Sequence, residues 1–251
     1  MRHLLIVTLS VLLLAGGAAL ADQHEASVSP DQALQKLQEG NARFAAGEST
    51  YPRFDAARRE MTSTKGQHPF VTVIACSDSR VPVEALFDQG IGDVFVIRVA
   101  GNVCDTDEIG SIEYGVDHLG TPLMVVLGHT QCGAVTAVTT GAEVHGSIPE
   151  LVDNIAPAVA AAKEAHPGMG TDELVPYAIE VNVWQSIDDL LTGSEAVAAR
   201  AADGRVRVVG AIYDIADGTV EWLGQHPHEG ELLEMGAGHG HEGHDHHGHA
   251  H

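Results

Sequence analysis

The stretch VTVIACSDSR, residues 71–80, combines two kinds of signal. Its first five residues are apolar or β-branched without a break. A strand with one wet face alternates apolar with polar; a strand buried on both faces does not. Residues 71–75 therefore predict a strand inside a parallel sheet covered by helices. The second half of the stretch carries chemistry instead. Cys76, Asp78 and Arg80 place a thiol, a carboxylate and a guanidinium at alternate positions just past the strand. Open α/β sheets bind their ligands at that C-terminal end.

Runs of the same Val/Ile/Leu type recur at 94–99, 123–127 and 206–212. Helical patterns fit between them at 83–88, 109–119, 134–139, 150–165 and 173–191. A last short run, 219–223, follows the Asp-Gly pair at 217–218, a hairpin signal that predicts an antiparallel strand at a sheet edge. Near the start, Ser29, Pro30 and Gln32 read as a helix N-terminus with a capping box. Leu34, Leu37, Asn41 and Phe44 continue it at helical spacing, and Gly47 ends it. The segment with Arg53, Arg58 and Arg59 is expected to be helical in part. The fold class is α/β: a mostly parallel central sheet, helices on both faces, and an antiparallel edge strand near the C-terminus.

The chain has 251 residues, 44% of them apolar and only 4% aromatic, so the core must be mainly Val, Ile, Leu and Ala. Its formal charge of -22 excludes a nucleic-acid partner, whose phosphates require Lys and Arg. Residues 1–21 read as a signal peptide, with Leu4–Leu14 as its apolar stretch and Ala19-Leu20-Ala21 as the cleavage site. Export to the periplasm, with no stable membrane anchor after cleavage, is the expectation. Residues 22–28 are a polar leader and 29–224 the folded domain. Residues 225–251 form a His/Gly-rich tail, expected to be disordered from about Gly236.

Three cysteines in an exported chain fit a disulfide framework poorly. A metal explains the count better. Cys76 follows the first strand; His129 and Cys132, in GHTQCG, follow the third. Each half alone is a weak signal. Together, at equivalent strand ends, two thiolates and an imidazole make a catalytic-type zinc set with the fourth position open. Asp78 has two roles open to it, as the fourth ligand or as a hydrogen-bond acceptor beside the metal, and Arg80 can clamp it. Cys104 has no evident partner and is expected to be buried.

CSDSRV at 76–81 and GHTQCGAV at 128–135 resemble the two signature motifs of the β-class carbonic anhydrases. GNARF at 40–44, SIEYGVDHLG at 111–120 and VVGAIYDIADGTVEWL at 208–223 are similar to further segments of that family, so the resemblance runs from about 30 to 224. It implies one Zn2+ per subunit on Cys76, His129 and Cys132, with Asp78 and Arg80 as the catalytic dyad. CO2 would be hydrated reversibly to bicarbonate and a proton by zinc-bound hydroxide, oriented by the dyad. Gln67, in KGQHPF, stands where the family has a glutamine that hydrogen-bonds bicarbonate. Tyr114 and His118, four apart, match a Tyr–His pair that resembles a proton path. Bicarbonate-inhibited members carry Trp three residues before the first Cys; Val73 stands there, which favours an open, constitutively active form. Val81, Phe87 and Val103 are candidates for lining a small apolar cleft. Two thiolates should make the bound water less acidic than three imidazoles do, so activity should rise at alkaline pH. The family also implies a homodimer or a dimer of dimers.

The tail, crowded with imidazoles from His239 to His251, is expected to bind extra Zn2+ and to raise its concentration near the site. Two other readings stand beside the enzyme: a hydrolase of carbonyl sulfide or carbon disulfide on the same scaffold, and a non-catalytic periplasmic zinc-buffering protein. The tail supports the second. Asp78, Arg80 and Gln67 argue against it, because storage has no use for them.

Overall fold

The structure is a computed structural model that describes residues 28–237. The signal peptide expected at 1–21, the leader expected up to 27 and the tail expected from 238 lie outside the described residues. Five strands form one sheet: β1 Val71–Ala75, β2 Val94–Arg98, β3 Leu123–His129, β4 Arg207–Tyr213 and β5 Val220–Gly224. Their order is β2-β1-β3-β4-β5. All neighbours are parallel except β4 and β5, which are antiparallel. Every residue of β1 and β3 is buried. That burial on both faces is what their unbroken apolar runs require.

Ten α-helices surround the sheet among the described residues. In order they are α1 Pro30–Ala45, α2 Ala56–Lys65, α3 Val83–Leu86, α4 Thr106–Glu113, α5 Gly133–Thr140, α6 Ile148–Asp153, α7 Ala156–Ala165, α8 Thr171–Gly193, α9 Glu195–Ala202 and α10 Glu229–Ala237. The capping box of α1 forms as expected: Gln32 N–H donates to Ser29 Oγ at 3.2 Å, and Ser29 N–H donates to Gln32 Oε1 at 2.9 Å. Leu37 of α1, Val73 of β1, Phe87, and Leu123, Val125 and Leu127 of β3 fill the core on one face of the sheet. On the other face, α8 lies across β3 and β4. A Cβ on Gly128 would meet Val183 Cγ2 at 2.6 Å, and one on Gly210 would meet Val183 Cγ1 at 2.9 Å, so the close approach of α8 depends on both glycines.

The strands match the sequence expectation to within one or two residues, and the hairpin at 217–218 closes the antiparallel edge pair as expected. Several helices differ. The single helix expected over 150–165 is two, α6 and α7, because a proline near the start of α7 suits a new first turn and cannot donate within an old one. The helix expected from 109 begins at Thr106, where Asp105 and Glu108 form a capping box. Its end widens into a π-turn over Tyr114–His118, with Leu119 N–H donating to Tyr114 O at 2.9 Å. The segment 225–251 does not begin as a tail. Residues 229–237 form α10, and Leu232 is buried against the core that includes Leu190 and Leu191. That apolar contact supplies what a Gly/His segment lacks.

Candidate active site

Adjacent parallel strands in register bring their ends to one edge. Ala75 pairs with Leu127, so Cys76, one residue past β1, lies beside the end of β3, where His129 closes the strand. The chain then turns through Thr130 and Gln131, whose φ of +57° is left-handed, and delivers Cys132 as the N-cap of α5. All three side chains are buried, and their sulfur and nitrogen ligand atoms lie within 4.8 Å of one another. The two sulfurs are 4.0 Å apart.

The donor set tests whether a metal fits. His129 Nδ1 lies 2.9 Å from Thr130 O, so Nδ1 carries the proton and donates. His129 Nε2 is left buried without a hydrogen-bond partner. A buried lone pair beside two thiols is a costly arrangement unless a cation takes it. The two thiols differ in acidity. Cys76 is pulled down to about 4, first by the hydrogen bond with Cys132 and then by His129 and Gly101 N–H, against the effect of burial. Cys132 is pushed up by the same contact with Cys76 and by burial. Two soft sulfurs and an imidazole suit zinc, and these residues fit it.

Around the sulfurs the wall is tight. Gly101 N–H donates to Cys76 Sγ at 3.3 Å, and Gly101 O accepts from Asn182 Nδ2 at 2.7 Å. Gly101 has φ +77°, and a Cβ there would meet Ile155 Cδ1 at 2.5 Å. Cys76 and Cys132 pack with Val103, Val135, Ile155 and Ile179. Of the three expected cleft residues, Val103 belongs to this cluster. Val81 and Phe87 belong to the cluster on the α1 side of the sheet, where Phe87 packs against Trp222. Neither belongs to the cluster that holds the two cysteines.

The Asp78 carboxylate is not part of the group of three ligand atoms. It is held by Arg80. Arg80 N–H and Nε both donate to Asp78 Oδ1 at 2.9 Å, and Nη2 donates to Oδ2 at 2.6 Å. The Arg80 side-chain bond is the main reason that the Asp78 carboxyl lies well below the usual carboxylate range. Arg80 Nη2 also reaches Gln131 O at 3.3 Å, tying the pair to the turn between His129 and Cys132.

The other expected residues lie apart within the chain. Gln67 is exposed in the loop between α2 and β1. Tyr114 and His118 are exposed and stacked, with ring centroids 4.7 Å apart, and Tyr114 also meets Phe95. Their π-turn sits over Thr72, since a Cβ on Gly115 would meet Thr72 Oγ1 at 2.3 Å. Thr72 is four residues before Cys76, or about 13 Å along the strand. Cys104 is buried and free, and burial pushes its thiol up. Sequence reasoning missed Arg98 and Asn182, which contact the main chain around Cys76. The signal for Arg98 was a charge closing an otherwise apolar strand. Asn182 gave none, because a polar residue in a long helix reads as exposed.

A family model described as carbonic anhydrase matches residues 71–220. The carbonic anhydrase of Mycolicibacterium smegmatis is 39% identical over 211 residues, covering 82% of this chain and 98% of that relative. Carbonic anhydrase 2 of Mycobacterium tuberculosis is 38% identical over 196 residues, with 76% and 92% covered. Among solved structures, the β-carbonic anhydrase CafA of the fungal pathogen Aspergillus fumigatus superposes with a TM-score of 0.64 at 29% identity, over 81% of this chain and 94% of that one.

Proposed function

The chain belongs to the β-class carbonic anhydrase family, and from that membership we propose that it hydrates CO2 reversibly to bicarbonate and a proton. The observation that carries the reading is the convergence of Cys76, His129 and Cys132 beside an Asp78 that is engaged by Arg80. Those three residues would hold Zn2+. Zinc supplies a nucleophile near neutral pH by lowering the pKa of water that it binds.

The chain's own residues do the rest. His129 keeps its proton on Nδ1, bonded to Thr130 O, and so presents Nε2. Asp78 accepts a hydrogen bond from the attacking water and aims an oxygen lone pair at the carbon of CO2. Arg80 keeps that carboxylate ionised and fixed, with Asp78 as an orienting acceptor rather than a ligand. Val103 and its neighbours offer CO2 an apolar wall. Addition of water to CO2 forms one C–O bond and releases one proton to solvent. Tyr114 and His118 are proposed for that proton's path and Gln67 for bicarbonate, with the distance between them and Cys76 bridged by a second copy of the chain. Exposed Tyr51, Phe54 and Met61 support such a homodimer, or a dimer of dimers.

The signal-peptide pattern at 1–21 supports a periplasmic location, and the imidazoles after residue 238 support extra Zn2+ on the tail. Both fit a protein that meets its metal outside the cytoplasm. The zinc-buffering alternative, which the tail also supports, leaves the Asp78–Arg80 bonds without a purpose.

The test is stopped-flow CO2 hydration by zinc-loaded protein, with carbonyl sulfide and carbon disulfide as competing substrates and Asp78→Ala as the variant. Turnover of CO2 that collapses in the variant is the expected result. No CO2 turnover with zinc fully bound would sink the reading.

A further inference from the structure

A second arginine reaches the loop that follows β1. Arg98 ends β2 and is the register partner of Ala75. Its Nε donates to Cys76 O at 3.1 Å and its Nη2 donates to Asp78 O at 2.6 Å. We propose that Arg98 is a positioning residue for the reaction: it fixes the main chain from Cys76 to Asp78, so that the Asp78 carboxylate stays where Arg80 can hold it. This role rests on the carbonic anhydrase activity proposed for the site.

At the end of the sheet, the ladder between β1 and β2 continues with Val99 N–H donating to Ala75 O and Ser77 N–H donating to Val99 O, each at 3.1 Å. Those bonds stop at Ser77. Asp78 stands one residue further on, where no sheet pairing holds a chain in place. Its carbonyl accepts from Val81 N–H at 3.0 Å, a local turn, and from Arg98. Arg98 is therefore the contact that ties this turn to a strand of the sheet. Two arginines grip one aspartate from opposite ends, Arg80 by the carboxylate and Arg98 by the main-chain oxygen.

The two grips differ in kind. Arg80 acts on the carboxylate directly, whereas the Arg98 contacts are to carbonyl oxygens. Arg98 therefore works through the position of the Asp78 main chain. A planar guanidinium can donate to two carbonyls at once from Nε and Nη2; a lysine ammonium cannot span both in the same geometry. The role needs an arginine.

The experiment is a double-mutant cycle of Arg98→Ala with Asp78→Ala in the zinc-loaded full chain. It is read by kcat per bound zinc and by amide hydrogen exchange in the loop. Arg98→Ala should lower kcat by about tenfold, the loss expected when a charge-assisted contact goes. In the Asp78→Ala background the same change should alter kcat by less than about twofold, because the carboxylate it positions is gone. The amides of Arg80 and Val81 should exchange about tenfold faster in Arg98→Ala, while those of β3 keep their rates. Equal losses in both backgrounds, or unchanged exchange in the loop, would overturn the proposal. If Arg98→Ala does not fold, Arg98→Lys carries the same cycle with a smaller loss and the same non-additivity. A wild type without turnover would count against the functional reading, and the exchange comparison would then decide Arg98 by itself.

Discussion

Replacing Arg80 by lysine separates charge from geometry at the site. Arg80 gives Asp78 three donors, one from the main chain and two from the guanidinium at 2.9 and 2.6 Å. Lysine keeps the main-chain donor and the positive charge. It has one ammonium, so one of the two side-chain bonds is lost. A hydrogen bond to a charged group contributes about 1.5–3 kcal/mol. The Arg80 side chain is 48% exposed, and water recovers part of the loss. The loss therefore falls at or below the weak end of that range. That end corresponds to a factor of about ten in rate. Arg80→Lys should lower kcat by up to about tenfold. Arg80→Gln, which also loses the charge, should fall further. The assay is stopped-flow CO2 hydration at saturating substrate, normalised to bound zinc. Full kcat in Arg80→Lys, or equal impairment of the two variants, would refute the claim that the forked contact orients Asp78.

Three other outcomes are expected from the geometry. Gly128→Ala should destabilise the fold by about 1–3 kcal/mol through the contact with Val183, and Val183→Ala should recover part of it in urea unfolding. Chelation should remove the stabilisation that a bound ligand gives, about 4 kcal/mol at a thousandfold excess over Kd, and lower Tm by roughly 8–16 °C for a domain of this size. Zn2+ should restore Tm and Mg2+ should not, as calorimetry would read. Asp78→Asn should cost stability at neutral pH, because the folded carboxyl is depressed and its charged form is the stabilised one. That deficit should shrink as pH falls below about 4, the unfolded value, toward the lower folded one; a deficit constant with pH would contradict the pairing.

The strands were legible because burial on both faces leaves no alternation to misread. The parallel order then made Cys76, His129 and Cys132 meet, since neighbouring strand ends must share an edge. Helix limits were less legible. The capping pair Asp105 and Glu108 lay in plain view but outside the apolar pattern that suggested a helix from 109. The α9 helix, capped by Ser194 and rich in alanine, has too few large apolar residues to show a periodicity. The α10 helix was hidden by its neighbours: Leu232 and Leu233 are two apolar residues between histidines and glycines, and their burial depends on a groove that only the fold creates. Arg98 showed as a charge closing an apolar strand, but its role did not, because its acceptors are main-chain oxygens of another segment.

The site divides into an inner and an outer part, and the two answer to different forces. The inner part is buried: two sulfurs 4.0 Å apart and an imidazole nitrogen without a hydrogen bond. Burying that nitrogen unpartnered is unfavourable unless a cation takes it, so metal binding there would be linked to folding. The outer part is not like this. Arg80 is half exposed and its bonds to Asp78 span two residues of sequence. An exposed, local ion pair adds little to stability. Its geometry, tied to the sheet by Arg98 and to the His129–Cys132 turn by Gln131, is far more ordered than its small contribution to stability requires. A zinc store would need only the inner part. Order beyond what stability requires is what a reaction asks of a group that must hold its position while bonds change beside it.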